Sequence, residues 1–418
     1  MSPKALLGLC TNLLWEVLRF ESPADAVVSS FFRRERALGT RERATLAETT
    51  YAVLRERLLW QHLAQSGTGT LERRLAVLAW RGNDAFLRGA LAPEEIAWRT
   101  QVLALDRSGL PEKLRHNLPE WLAERLKAQL GDDFWPLVEA VNRPASLDLR
   151  VNALKAKREA AQAALQAAGI DAVPTPYSPW GLRLDGKPAL QKAETFVQGE
   201  VEVQDEGSQL LALLTEAKRS EMVVDFCAGA GGKTLALGAM MRNTGRLYAF
   251  DVSAHRLDAL KPRLARSGLS NVYPAGISHE RDERVKRLSG KIDRVLVDAP
   301  CSGLGTLRRN PDLKWRQSPQ AVTELTAKQG AILASAARLL KPGGRLVYAT
   351  CSLLQEENEA IAAAFTAAQP GFEPLDAADI LARQGVADAA GLVRDGALRL
   401  WPHRHQTDGF YAAVWQKR

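Results

Sequence analysis

From Glu221 onward, short apolar runs alternate with glycine turns and helical periodicity, which restricts this part of the chain to a parallel α/β sheet. EMVVDFCAGAGGKTLALGAMM reads as a strand, a Gly-rich turn and a helix. GRLYAFDVSAHRLDALKPRLARSG reads as a strand ending at Asp251, then a helix. KIDRVLVDAPCSG is a third strand, and ELTAKQGAILASAARLL is a helix before the KPGG turn and the strand RLVYATCS. TDGFYAAVWQKR reads as a last strand, of edge type.

Upstream the period differs. Residues 1 to about 140 carry apolar residues at three-to-four spacing with few β-branched runs, which predicts helices. A short strand is expected over 147–151, an Ala-rich helix over 155–168, and Pro-containing turns around VPTPYSPWG. TFVQGEVEVQDEGSQLLALLTE predicts a strand, a turn and a helix starting near Asp205 or Ser208. At 418 residues the chain has length for two or three domains. The N-terminal stretch meets Glu16, Arg19 and Glu21 early, so it predicts an amphipathic helix and neither a signal peptide nor a membrane span. None of the four cysteines forms a C-x-x-C pair, which argues against a zinc ribbon or disulfide scaffold; a reduced, cytoplasmic protein is the expectation. An excess of 56 basic over 48 acidic residues suits a polyanionic partner.

The chemistry-bearing residues cluster at strand ends. In CAGAGGKT, Gly229, Gly231 and Gly232 let backbone N–H groups approach a ligand at a helix N-terminus. The loop is not a Walker A motif, because Cys227 stands where glycine is needed, and Thr234 replaces the last glycine of G-x-G-x-x-G. Alone it is equally a tight turn. Asp251 ends the next strand at the spacing of a ribose-binding acid, or else caps the following helix; loop and acid together favour a nucleoside-containing cofactor. Cys301 and Cys351 each follow a strand and precede a serine, so they can form a nucleophilic site. Cys10 reads as a small buried hydrophobe and Cys227 as a backbone donor to the loop. Asp298 can bond a polar heterocycle edge or cap the turn at Ser302–Gly303. In TLRRNPDLKWRQ, the basic residues can bind phosphate and Trp315 can stack on a base, although a charge run is also an ordinary solvated face. His403 and His405 lack further metal ligands nearby and read as a surface loop.

The motifs LRVN, VQDEGS, DFCAGAGGKT, AFDVSAHRL, DAPCSGLGTLRRNPDLKW, KPGG and YATCS, in this order, resemble the Sun/Fmu (RsmB) and NOP group of RNA cytosine-5 methyltransferases over about 140–418. RERATLAETTYAVLRERLLWQHL resembles the NusB-like N-terminal domain of its bacterial members. The resemblance implies a Rossmann-like class I methyltransferase domain at 216–418, mostly parallel with an antiparallel last strand. A small α/β RNA-binding subdomain at 141–215 and an all-α NusB-like domain at 1–140 would precede it. It implies transfer from S-adenosylmethionine to C5 of cytosine in RNA, small-subunit (16S) rRNA above all, by a monomer needing no metal. Cys351 would attack C6, Cys301 would assist release, and Asp298 would bond the base near N3 and lie near the cofactor. Lys233 and Asp251 match cofactor-loop and ribose positions, with Cys227, Ala228, Gly229, Ala230, Gly231 and Gly232 supplying backbone. Two residues depart from the group's pattern. Ala230 replaces a proline, and Ile277 replaces an acid that contacts the adenine amine, a task left to Ser278, Glu280, Asp282 or backbone. The rival readings are an RNA-binding or ribosome assembly factor with a degenerate fold, and a methyltransferase for tRNA, DNA or protein.

Overall fold

The computed structural model describes residues 1–186 and 188–418, in two compact units. One unit comprises Met1–Pro144 together with Thr306–Ser318; the other comprises Ala145–Gly305 and Pro319–Arg418.

The first unit is helical. Its opening helix, Pro3–Val17, starts where Ser2 Oγ accepts the Ala5 N–H and Pro3 sets the first turn. It buries Leu6, Leu7, Cys10, Leu13, Leu14 and Val17, the three-to-four spacing of a core-facing stripe. Cys10 is fully buried, and burial pushes its thiol up to about 12, so it is an inert packing residue.

Residues 306–318 belong to this helical unit and correct the expectation for Trp315. Asp312 Oδ2 accepts the N–H of Ala24, the first residue of the helix Ala24–Arg34. Lys314 Nζ donates to Arg55 O at 2.7 Å and to Asn142 Oδ1 at 2.9 Å. Trp315 Nε1 donates to Leu54 O at 2.7 Å, and the Arg57 guanidinium lies over its ring. The indole is therefore a half-buried packing residue of the helical unit, not a free platform for a base. Burial pushes the Lys314 ammonium down to about 7.

The second unit contains two sheets. The smaller has strands β1 (Leu147–Val151), β2 (Ala172–Pro174), β3 (Gly181–Leu184) and β4 (Val201–Val203), antiparallel in the order β2-β3-β1-β4. Leu149, Val151 and Leu182 meet Leu165 of the helix Arg158–Ala167 in its core. That helix begins later than expected because residues 152–155 form a turn, in which Asn152 Oδ1 accepts the Leu154 N–H and Lys155 Nζ donates to Gln198 O and Arg266 O. Helix Glu206–Leu213 starts at the expected Asp205, whose side chain accepts the Gly207 N–H.

The larger sheet holds β5 (Met222–Asp225), β6 (Arg246–Asp251), β7 (Val272–Gly276), β8 (Ile292–Asp298), β9 (Leu340–Thr350), β10 (Phe372–Leu375), β11 (Val393–Arg394), β12 (Ala397–Leu400) and β13 (Phe410–Lys417). Their order is β11-β12-β13-β9-β8-β5-β6-β7, with β10 also paired to β13. From β7 to β9 all pairings are parallel, and β13 runs antiparallel to β9. The expected last strand exists, but it is not an edge. It pairs with β9, β12 and β10, and six of its eight residues are buried. Sequence order runs outward in both directions from β5 and β8, so the carboxyl ends of these strands form the crevice where such sheets bind ligands. No described helix is long and apolar enough to cross a membrane.

Candidate active site

Four strands deliver functional side chains to one end of the sheet, among them Asp225, which sequence reasoning did not single out. Asp225 ends β5, Asp251 ends β6, Asp298 ends β8, and Cys351 follows β9 directly.

The loop after β5 is built around glycine. Gly231 has φ +83°, and a Cβ there would meet Leu260 Cδ1 at 2.1 Å, so both conformation and space exclude a side chain. Helix Gly232–Met240 follows immediately. Arg263 Nη1 donates to Ala230 O at 2.5 Å and holds the loop from the side. Asp251 is fixed by the Gly229 N–H on Oδ2 at 2.8 Å and the Ser253 N–H on Oδ1 at 2.7 Å. Each oxygen keeps a lone pair for a further donor. Beneath the loop, the wholly buried Asp225 accepts Thr234 Oγ1 at 2.6 Å, while its Oδ1 accepts nothing from the described residues. Burial, reinforced by Asp298 and Asp251 and opposed by the Thr234 bond and Lys233, raises this carboxyl to about 7. A carboxylate with an open oxygen, an oriented acid and a loop too tight for side chains suit a cationic nucleoside cofactor.

Ile277, expected where an acid would read adenine, is buried among Phe250 and Val285. Its N–H donates to Asp251 O at 3.0 Å. Of the substitutes considered, Asp282 is engaged in accepting the Ser278 and Arg284 N–H groups. Ile277 thus belongs to the apolar core next to Asp251.

The Asp298 carboxylate caps no turn in the described bonds. Its Oδ2 receives Lys233 Nζ at 2.6 Å, with the two side chains only 28% and 11% exposed. Burial works against the Lys233 charge, but Asp298, then Cys351 and Asp225, outweigh it and hold the ammonium above its ordinary value. Lys233 thereby bridges the Gly loop, Asp298 and the field of Cys351.

The Sγ atoms of Cys301 and Cys351 lie 3.4 Å apart. Their turns are pressed together. Gly305 N–H donates to Cys351 O at 2.8 Å, and a Cβ on Gly305 would meet Gly409 O at 2.0 Å. The bond to Cys351, then burial, then the charges of Cys351 and Glu357 raise the Cys301 thiol well above its ordinary range. Cys227 is likewise raised, by burial and then by Asp225, Asp298 and Asp251.

Residues not singled out from sequence frame these thiols. Glu357, in the short turn Gln355–Glu357, is fully buried and bonds Ser302, Ser352 and Gln329. Thr350 bonds Asn358, whose Nδ2 donates to Ser352 O at 3.0 Å. Arg399 donates to Ser352 O and Leu353 O. The acidic run QEEN after the second cysteine was the available signal. His405 is not in a surface loop: it is buried, and its Nδ1 accepts the Trp401 N–H at 2.9 Å.

A parallel sheet with an antiparallel strand beside it, a glycine loop after its first strand and an oriented acid after its second make this a class I S-adenosylmethionine-dependent methyltransferase. Residues 212–416 match the family model described as 16S rRNA methyltransferase RsmB/F, and residues 118–191 match the RsmF/B-like ferredoxin-like domain. The chain is 31% identical over 414 residues to the "Probable ribosomal RNA small subunit methyltransferase B" of Synechocystis, spanning 98% of this chain and 90% of that protein. It is 36% identical over 302 residues to the "Ribosomal RNA small subunit methyltransferase B" of Sodalis glossinidius, spanning 72% of this chain and 66% of that one. The solved structure of PH0851 has a TM-score of 0.81 at 27% identity, covering 100% of this chain and 99% of that one. The chain belongs to the RsmB/F family of RNA methyltransferases.

Proposed function

We propose that this chain methylates C5 of a cytosine in RNA, small-subunit 16S rRNA being the substrate, through a covalent adduct with Cys351. The observation that carries this reading is the pair of thiols 3.4 Å apart on neighbouring strand ends, beside the Lys233–Asp298 pair. The relatives' names support an rRNA substrate.

Cytosine C5 is a poor nucleophile until a thiolate adds at C6. As the Cys351 sulfur forms the C6–S bond, its thiol proton passes to N3 by way of Asp298, and C5 becomes an enamine carbon. Asp298 bonds the base near N3, and Lys233, 2.6 Å from it, balances the charge on that edge. S-adenosylmethionine, when bound, supplies an electrophilic methyl group. Asp251 would hold its ribose; the backbone of Cys227, Ala228, Gly229, Ala230, Gly231 and Gly232, with Lys233 behind it, would surround the rest. Once C5 carries the methyl group, its proton leaves to solvent water, the C5–C6 double bond returns as the C6–S pair stays on the Cys351 sulfur, and that sulfur takes back the N3 proton. Cys301, held as a thiol, donates a hydrogen bond to the departing Cys351 sulfur and so assists release. The division into a helical domain at 1–140, a small RNA-contacting subdomain at 141–215 and a catalytic domain at 216–418 is part of this reading.

The test is incubation with labelled S-adenosylmethionine and undermethylated 16S rRNA, with tRNA alongside, read by bisulfite sequencing. A new 5-methylcytosine in the rRNA is the expected result. Methylation of tRNA alone would move the substrate, and methylation of no RNA would overturn the reading.

A further inference from the structure

We infer that Glu357 is a positioning residue for the reaction: its buried carboxylate ties the two cysteine turns together and sets the spacing of the thiols. This role rests on Cys351 and Cys301 being the attacking and releasing thiols.

The geometry is specific. Oε1 of Glu357 accepts the Ser302 N–H at 2.8 Å and Gln329 Nε2 at 3.0 Å. Oε2 accepts Ser302 Oγ at 2.5 Å and is bonded by Ser352 Oγ; the two hydroxyl oxygens are 3.1 Å apart. Ser302 and Ser352 immediately follow Cys301 and Cys351, so one side chain fastens both turns at the residue next to each sulfur. A carboxylate has about four lone-pair sites, and these four donors fill them. Removing Glu357 would take away an acceptor that buried donors of both turns share. Its negative charge also adds to the Cys351 bond, burial and the Cys351 charge, which are the larger causes, in raising the Cys301 thiol.

Two variants separate charge from linkage. Glu357→Gln keeps the shape and lets the serine hydroxyls turn to accept, but removes the charge. Ser352→Ala keeps the charge and cuts the link to the Cys351 turn. Each is assayed for S-adenosylmethionine affinity, for kcat and KM with rRNA, and for site-resolved alkylation by iodoacetamide between pH 6 and 10, read by mass spectrometry. Expected are cofactor affinity within threefold of the parent, KM within threefold, kcat reduced at least tenfold in both variants, and Cys301 alkylated at lower pH in Glu357→Gln only. If Glu357→Gln does not fold, Ser352→Ala decides by its kcat. A kcat within threefold in the folded variants, or an unchanged Cys301 alkylation profile in a folded Glu357→Gln, would overturn the inference. The alkylation measurement needs no RNA turnover, so a parent enzyme that makes no 5-methylcytosine sinks the reading of the site, whereas an unchanged profile sinks only the role of Glu357.

Discussion

Cys301 and Cys351 are 50 residues apart in the chain and 3.4 Å apart at sulfur. Such a pair can divide attack and release only if each removal leaves a different residue of chemistry. Cys351→Ala is expected to reduce kcat by about 10³-fold or more with no covalent RNA product. Cys301→Ala is expected to stall after methyl transfer and accumulate a protein–RNA adduct stable to denaturing electrophoresis. An adduct in the Cys351 variant instead would exchange the two roles.

Asp298 and Lys233 form the partly buried ion pair next to the thiols. Asp298→Asn keeps the size but removes the charge that holds Lys233, and is expected to lower kcat by about 10²-fold or more. Lys233→Met should also lower stability, by about 2 kcal/mol, because Asp298 loses a charged hydrogen-bond partner. Steady-state kinetics and urea unfolding read the two effects separately. An Asn variant with parental kcat would remove Asp298 from the chemistry.

Asp225 gives a pH signature. Its folded pKa of about 7 lies above the unfolded value of about 3.9, so the folded state holds this proton more tightly. The stability it contributes is complete below pH of about 4 and is lost as pH rises through about 7. Asp225→Asn lacks that proton equilibrium. Relative to the parent without cofactor, the variant should gain on the order of 2–4 kcal/mol between pH 4 and pH 8. Urea midpoints across that range test it, and parallel pH curves for the two proteins would refute it.

Trp315 is expected to matter for the helical unit's stability. Trp315→Ala removes a half-buried indole and its bond to Leu54 O, and should cost about 2–4 kcal/mol by chemical denaturation. Trp315→Phe should recover most of the packing and lose the hydrogen bond, about 1 kcal/mol. An Ala variant of parental stability that binds RNA more weakly would restore the indole as an RNA contact.

Strands β5, β6, β8 and β9 were legible because parallel strands covered on both faces read as continuous apolar runs, each closed by a turn signal. Asp251 and the glycine loop were legible for the same reason: their place follows from where a run stops. The position of β13 was not. Its neighbours β10 and β12 are four-residue strands in a stretch without strong alternation, and a strand's rank in a sheet depends on partners its own residues do not name. Trp315 followed a basic run that looked solvated; only tertiary contact with Leu54 and Arg57 shows the indole as packing. Glu357 was missed because a glutamate in QEEN looks like a surface residue until four donors converge on it.

The placement of β13 also sets an order of events during synthesis. β9, which carries Cys351 at its end, pairs on one side with β8, made earlier, and on the other with β13, made later. A chain growing from its N-terminus therefore presents β9 as an open apolar strand edge until Phe410–Lys417 has been made. Gly409, whose N–H closes on Gly305 O behind the cysteine turns, arrives at the same late moment. The nascent polypeptide thus holds Cys351 in an unfinished frame until β13 has been made and has paired with β9.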